Sequence, residues 1–184
     1  MRAFIAIELD PAIRQRLAEA QEPLRQAGGK VKWVGAERMH LTVKFLGEIE
    51  EGQVDAVAEA MGAATAAAEP FEIALAGLGS FPPRGAPRVV WAGVRDASGA
   101  LADLHRRLEG ELEALGFERE KRPFRPHLTL GRVKDRRAGR ALAPLIAQQE
   151  STDFGTQVVD ALVLFQSVLS PQGPTHTALR RQAL

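Results

Sequence analysis

The sequence contains no cysteine. That removes a disulfide scaffold, a thiolate metal site, an iron–sulfur cluster and a thiol nucleophile. Tyrosine is absent as well, so aromatic contacts must come from eight Phe and two Trp. No stretch approaches the roughly 20 apolar residues of a membrane-spanning helix. The N-terminus, Met1-Arg2-Ala3-Phe4-Ile5-Ala6-Ile7-Glu8, meets a charge too early for a signal peptide. A cytoplasmic protein without a membrane partner is the expectation. Hydrophobic residues make up 45% and charged residues 26%, a globular balance that excludes disorder and collagen-like structure. With 184 residues the chain can bury roughly 70% of the surface its unfolded form exposes. It needs neither disulfide nor metal to fold.

The net charge of +1 conceals a local asymmetry. Between Arg119 and Arg140 lie nine Lys/Arg against two acids, Glu120 and Asp135. Such a stretch is either a solvated face or an anion site, since clustered cations concentrate phosphate-bearing ligands.

Arg2–Leu9 reads as a strand. Asp10-Pro11 reads as N-cap and first helical residue, with Ile13, Leu17 and Leu24 on the buried face and Gly28-Gly29 ending the helix. Short strands follow over 31–34 and 39–46, then a helix over 53–67 and strands over 71–78 and 88–94. Ser98 is placed to cap a helix over 99–115. The remainder reads as a strand over 127–133, a helix over 138–149, one long strand over 158–169 and a final strand over 175–181.

This order nearly repeats. An offset of 87 residues carries His40 onto His127, Ala3 onto Val90 and Phe71 onto Val158. It also carries Arg88 onto Thr175, which makes the last strand a copy of the one before Gly93. Two copies of strand, helix, strand, helix, strand predict an α+β fold. The expectation is one bilobal, pseudo-twofold domain over 1–184, with antiparallel sheets and outer helices.

The strongest signal lies inside this repeat. Four His and seven Thr would form roughly 0.15 His-x-Thr triplets by chance. Two occur, both as His-Leu-Thr-aliphatic, at corresponding positions of the two units. In a strand, residues i and i+2 share a face. His40 therefore projects with Thr42, and His127 with Thr129. Leu41, Val43, Leu128 and Leu130 point into the core. An imidazole moves protons, and a neighbouring hydroxyl donates to a non-bridging phosphate oxygen. If the units face each other, both pairs converge on one cleft. In-line displacement at phosphorus needs a base behind the entering oxygen and an acid behind the leaving one. Two His can hold opposite protonation states near neutrality. Either could be the base.

The other His residues lack this pattern. His105 lies on a predicted helix beside Arg106 and Arg107. His176 lies between Thr175 and Thr177, with Ala178 at i+2. Both are expected to be structural or solvated. No His, Glu or Asp partner lies at metal-ligand spacing from His40 or His127, and Thr is a poor zinc ligand. There is no nucleophile elbow, P-loop or dinucleotide fingerprint. No metal and no cofactor are expected.

At these residues the chain resembles the two-histidine phosphoesterase superfamily, and within it the bacterial and archaeal RNA 2′,3′-cyclic phosphodiesterases, also called 2′-5′ RNA ligases. The residues that carry the likeness are 1–8, Trp33-Val34, His40-Leu41-Thr42-Val43-Lys44-Phe45-Leu46-Gly47-Glu48 and Pro126-His127-Leu128-Thr129-Leu130-Gly131-Arg132. The resemblance implies two antiparallel sheets facing a central cleft. It implies metal- and ATP-independent hydrolysis of RNA 2′,3′-cyclic phosphate ends to 2′-phosphates. Small cyclic nucleotides are a further candidate substrate that the sequence leaves open. His40 would be the proton donor to the leaving 3′ oxygen and His127 the proton acceptor that activates water. Thr42 and Thr129 would hold the non-bridging oxygens.

Arg132 is expected at the phosphate only if a bulge near Gly131 turns it to the cleft. Phe45 reaches the cleft only if its strand shifts register after Val43. Arg125 shares the parity of His127 and is a backbone-contact candidate. Phe81 and Phe124 are candidates for base stacking or for packing. Two other functions remain open: 2′-5′ ligation in the same site, and non-catalytic binding of RNA ends. Nothing in the sequence requires a dimer, so a monomer is expected.

Overall fold

The computed structural model describes residues 1–184. In chain order the elements are β1 (Arg2–Glu8), α1 (Pro11–Gln26), β2 (Val31–Trp33), β3 (His40–Glu48), α2 (Val54–Thr65), β4 (Phe71–Phe81), β5 (Val89–Arg95), α3 (Ala100–Ala114), β6 (His127–Val133), α4 (Arg136–Gln148), β7 (Asp153–Val159), β8 (Ala161–Val168) and β9 (Thr175–Ala183). No helix is long and apolar enough to cross a membrane.

Local chemistry sets the helix starts. Pro11 opens α1, where its fixed φ suits the first turn. Asp10 takes the expected N-cap position, its carbonyl accepting from Arg14 N at 3.0 Å, but its side chain makes no capping bond. Its backbone N–H instead donates to Gln157 Oε1 at 2.9 Å, tying the helix start to β7. Ser98 does contribute at α3, accepting from Ala100 N at 3.2 Å, but Asp96 accepts the shorter bond, from Leu101 N at 2.7 Å. Asp135 caps α4 through Ala138 N at 2.8 Å, so that helix begins at Arg136, two residues earlier than predicted.

The strands form two antiparallel sheets, ordered β3-β1-β8-β9 and β2-β6-β5-β4-β7. Helices α2 and α3 back the first sheet, and α1 and α4 back the second. The expected α+β architecture is therefore present, but the two sequence units are not the two lobes. The first unit sends α1 and β4 to the second sheet. The second unit sends α3 and β8 to the first. A single core of 36 buried residues draws on both sheets and all four helices.

Two further expectations change. The predicted strand over 158–169 is the end of β7 plus β8, and the chain passes from one sheet to the other at Asp160. The apolar residues on both sides keep a strand-like pattern through the step, so periodicity does not mark it. The last strand, β9, does not copy β5. It lies on the edge beside β8, as β7 lies on the edge beside β4.

Candidate active site

β3 and β6 begin on the two motif histidines and approach each other where the sheets meet. Leu41, Val43, Leu128 and Leu130 are buried. Truncating one such side chain costs about 2–5 kcal/mol, so the opposite faces of these strands are firmly placed. On those faces His40, Thr42, His127 and Thr129 line one cleft of about 320 Å³.

Arg132 and Phe45 line the same cleft, and for one shared reason. In β3 the register with β1 skips Val43, and in β6 the register with β5 skips Leu130. The 87-residue offset relates these two bulges. Each leaves two consecutive residues inward, Val43 with Lys44 and Leu130 with Gly131. The next residue then returns to the cleft side: Phe45, which is 68% exposed, and Arg132. The repeat thus puts an aromatic ring at one position and a guanidinium at its counterpart.

Each bulge is held by a buried polar group from a helix. Gln21 of α1 donates to the carbonyls of Leu130 and Val34, both at 2.9 Å. Lys44, 8% exposed, pairs at 2.7 Å with Glu109 of α3, 5% exposed, and donates to the Glu118 carbonyl at 2.7 Å. Burial opposes the Glu109 charge. The Lys44 ammonium and the Glu120 N–H outweigh that and hold its carboxyl below the ordinary range.

Both rings are oriented by the carbonyl two residues upstream. His127 Nδ1 lies 2.8 Å from the Arg125 carbonyl oxygen. A carbonyl only accepts, so Nδ1 carries the hydrogen and Nε2 of the neutral ring keeps its lone pair. The His40 ring makes the matching bond to the Arg38 backbone. The walls differ. His40 stacks on Phe4, with centroids 4.7 Å apart, and meets His176 edge-on at 5.0 Å. His127 meets the edge of Phe81 at 5.2 Å and lies 6.4 Å from Trp91. Burial, and then the nearby His176, push the His40 imidazole down to about 4, against the pull of the Arg38 carbonyl. His176 is itself lowered by burial and by the Arg38 guanidinium.

His176, expected to be structural or solvated and away from the site, instead lines the cleft against His40. Its own sequence neighbourhood carries no signal, because β9 reaches the first sheet by tertiary pairing. Arg38 also lines the cleft. The signal that could have found it is the 87-residue offset, which maps Arg125 onto it. Arg125 itself lines an adjoining groove of about 700 Å³ with Arg122, Phe81 and Phe124. This groove shares Thr42, Phe45 and His127 with the cleft. Phe124 stacks on His105 at 3.9 Å and 7° between planes. His105 is packed rather than solvated, and burial lowers its pKa.

A model of the 2′-5′ RNA ligase superfamily matches residues 9–168. An RNA 2′,3′-cyclic phosphodiesterase of Methanothermobacter thermautotrophicus is 38% identical over 177 residues, 96% of this chain and 95% of the relative. One from Thermus thermophilus is 36% identical over 100% of this chain and 90% of its own length. Among solved structures, TT0787 of Thermus thermophilus superposes with a TM-score of 0.80 at 32% identity, covering 100% of this chain and 98% of that one. Escherichia coli LigT complexed with 3′-AMP gives 0.77 at 26% identity, covering 100% and 97%. The duplicated His-x-Thr strands, the paired sheets and these likenesses agree: the chain belongs to the 2′-5′ RNA ligase superfamily.

Proposed function

We propose that the chain hydrolyses 2′,3′-cyclic phosphate ends of RNA to 2′-phosphates, without a metal, using His40 and His127 as acid and base. The observation that carries this reading is that both His-x-Thr pairs line one cleft of about 320 Å³. The names of the relatives at 36–38% identity support the substrate class. Small 2′,3′-cyclic nucleotides carry the same reacting group and are minimal substrates in this reading.

His127 Nε2 takes a proton from water as the water oxygen attacks phosphorus. The P–O3′ bond breaks, and His40 gives its proton to the departing O3′. Phosphorus stays on O2′. Thr42 and Thr129 donate to the non-bridging oxygens, and Arg132 balances their charge. A His40 imidazole near 4 is neutral at neutral pH in the free protein. A phosphate anion beside it favours the imidazolium, so the acid becomes charged as substrate binds.

The test is turnover of an oligonucleotide with a 2′,3′-cyclic end in excess chelator. Full activity is expected, with a large loss in His127→Ala. Activity abolished by the chelator, or normal turnover without His127, overturns the reading.

A further inference from the structure

The 320 Å³ cleft is not the whole depression at the sheet junction. Past Thr42, Phe45 and His127 it continues into the groove of about 700 Å³. Hydrolysis at a strand end requires room for a terminal nucleotide and a water. The groove beyond His127 is additional space, and its walls are chemically specific.

Arg122 and Arg125 are exposed in it, and neither belongs to any ion pair of the molecule. Its two acids are engaged: Glu109 by Lys44, and Glu120 as acceptor from Arg122 N at 3.1 Å. Phe45 offers the most exposed aromatic ring of the chain at the mouth. The other two phenylalanines are committed, Phe81 against His127 and Phe124 on His105. The start of the segment bearing the arginines is anchored. Lys44 holds the Glu118 carbonyl, and Glu109 accepts from Glu120 N at 2.9 Å. A cationic groove with a free aromatic face matches a nucleotide, whose phosphate seeks guanidinium and whose base stacks. Preorganisation lowers the entropic cost of holding it.

We propose that this groove is a second nucleotide subsite, binding a phosphate at Arg122 and Arg125 and a base against Phe45, beside the nucleotide that carries the reacting phosphate. The proposal rests on the cyclic-phosphate reading and defines its substrate as polynucleotide. The occupant is a nucleotide from one of two sources: the preceding residue of the same strand, or the 5′-hydroxyl end of a second strand. In the second case the 5′ oxygen replaces water. Its proton goes to His127, the P–O3′ bond breaks with protonation by His40, and a 2′-5′ bond forms.

The test uses Arg122→Ala and Arg122→Glu with three probes: a 2′,3′-cyclic mononucleotide, an oligonucleotide with a cyclic end, and that oligonucleotide plus a 5′-hydroxyl strand. Mononucleotide turnover is expected to stay within about twofold, as Arg122 lies outside the phosphate cleft. For a same-strand occupant, kcat/KM on the oligonucleotide falls about tenfold in Arg122→Ala and further in Arg122→Glu. Its slope of log affinity against log salt shrinks by roughly 0.7. For a second-strand occupant, only the yield of joined strand falls. Three unchanged reactions, or a mononucleotide loss as large as the oligonucleotide loss, overturn the subsite alone. A wild-type protein inactive on all three removes the cyclic-phosphate reading and the subsite with it.

Discussion

The His40 and His127 corners share a strand motif, a bulge at the same offset and a ring-orienting carbonyl two residues upstream. Their walls are unlike. His40 is pressed between Phe4 and His176, with Phe165 at 6.0 Å. His127 rests on the edge of Phe81 and opens into both the cleft and the groove. Duplication supplies two imidazoles in related poses. Divergence of the surroundings then makes them unequal, burial and the nearby His176 lowering the His40 pKa.

The largest effects should come from removing either ring. His40→Ala and His127→Ala are each expected to cost about 10² to 10⁴ in kcat. In the proposed mechanism the two act on one transition state, so the double variant should cost little more than either single. Steady-state rates on a cyclic-ended oligonucleotide check this, and additive losses would separate the corners into independent sites.

The two bulge clamps differ in chemistry and should differ in cost. Lys44→Met leaves Glu109 buried without its ion-pair partner, and about 3–5 kcal/mol of stability should be lost. Gln21→Leu takes the amide donor from the Val34 carbonyl and leaves the Leu130 carbonyl with the Val34 N–H alone, at about 1–3 kcal/mol. Denaturant melts rank them, and equal costs would mean that the ion pair is no more critical than the amide.

The protonation contrast can be sharpened with His176→Phe. Removing that imidazole takes away one of the two groups of causes that depress His40, so its titration, followed by ring NMR signals, should move upward from about 4. A His40 that stays put would assign the depression to burial alone. The same depression bears on stability. The unfolded chain binds the His40 proton near the ordinary 6.5 and the folded chain only near 4. Stability from this group is complete above 6.5 and is lost as pH falls through that window. His40→Gln should flatten this part of the stability–pH curve.

The motif pairs are readable in the sequence because they use local rules: alternation fixes which side chains share a face, and a repeated triplet fixes equivalence. The α+β class is readable for the same reason. The exchange of α1, β4, α3 and β8 between lobes is not, since strand partners are chosen by tertiary packing that local periodicity does not encode. Arg132 and Phe45 are readable only conditionally. Their orientation depends on bulges at Leu130 and Val43, and these are held by Gln21 and by the Lys44–Glu109 pair, far away in sequence. His176 escapes a sequence reading because its partner ring belongs to the strand at the opposite edge of the sheet. Arg38 needs only the 87-residue offset applied to Arg125.

The most direct test is the position of the phosphate in the product of a cyclic-ended oligonucleotide. If His40 protonates the departing 3′ oxygen and His127 activates water on the opposite flank, the product carries a 2′-phosphate alone. A 3′-phosphate product would contradict that division of labour between the two corners.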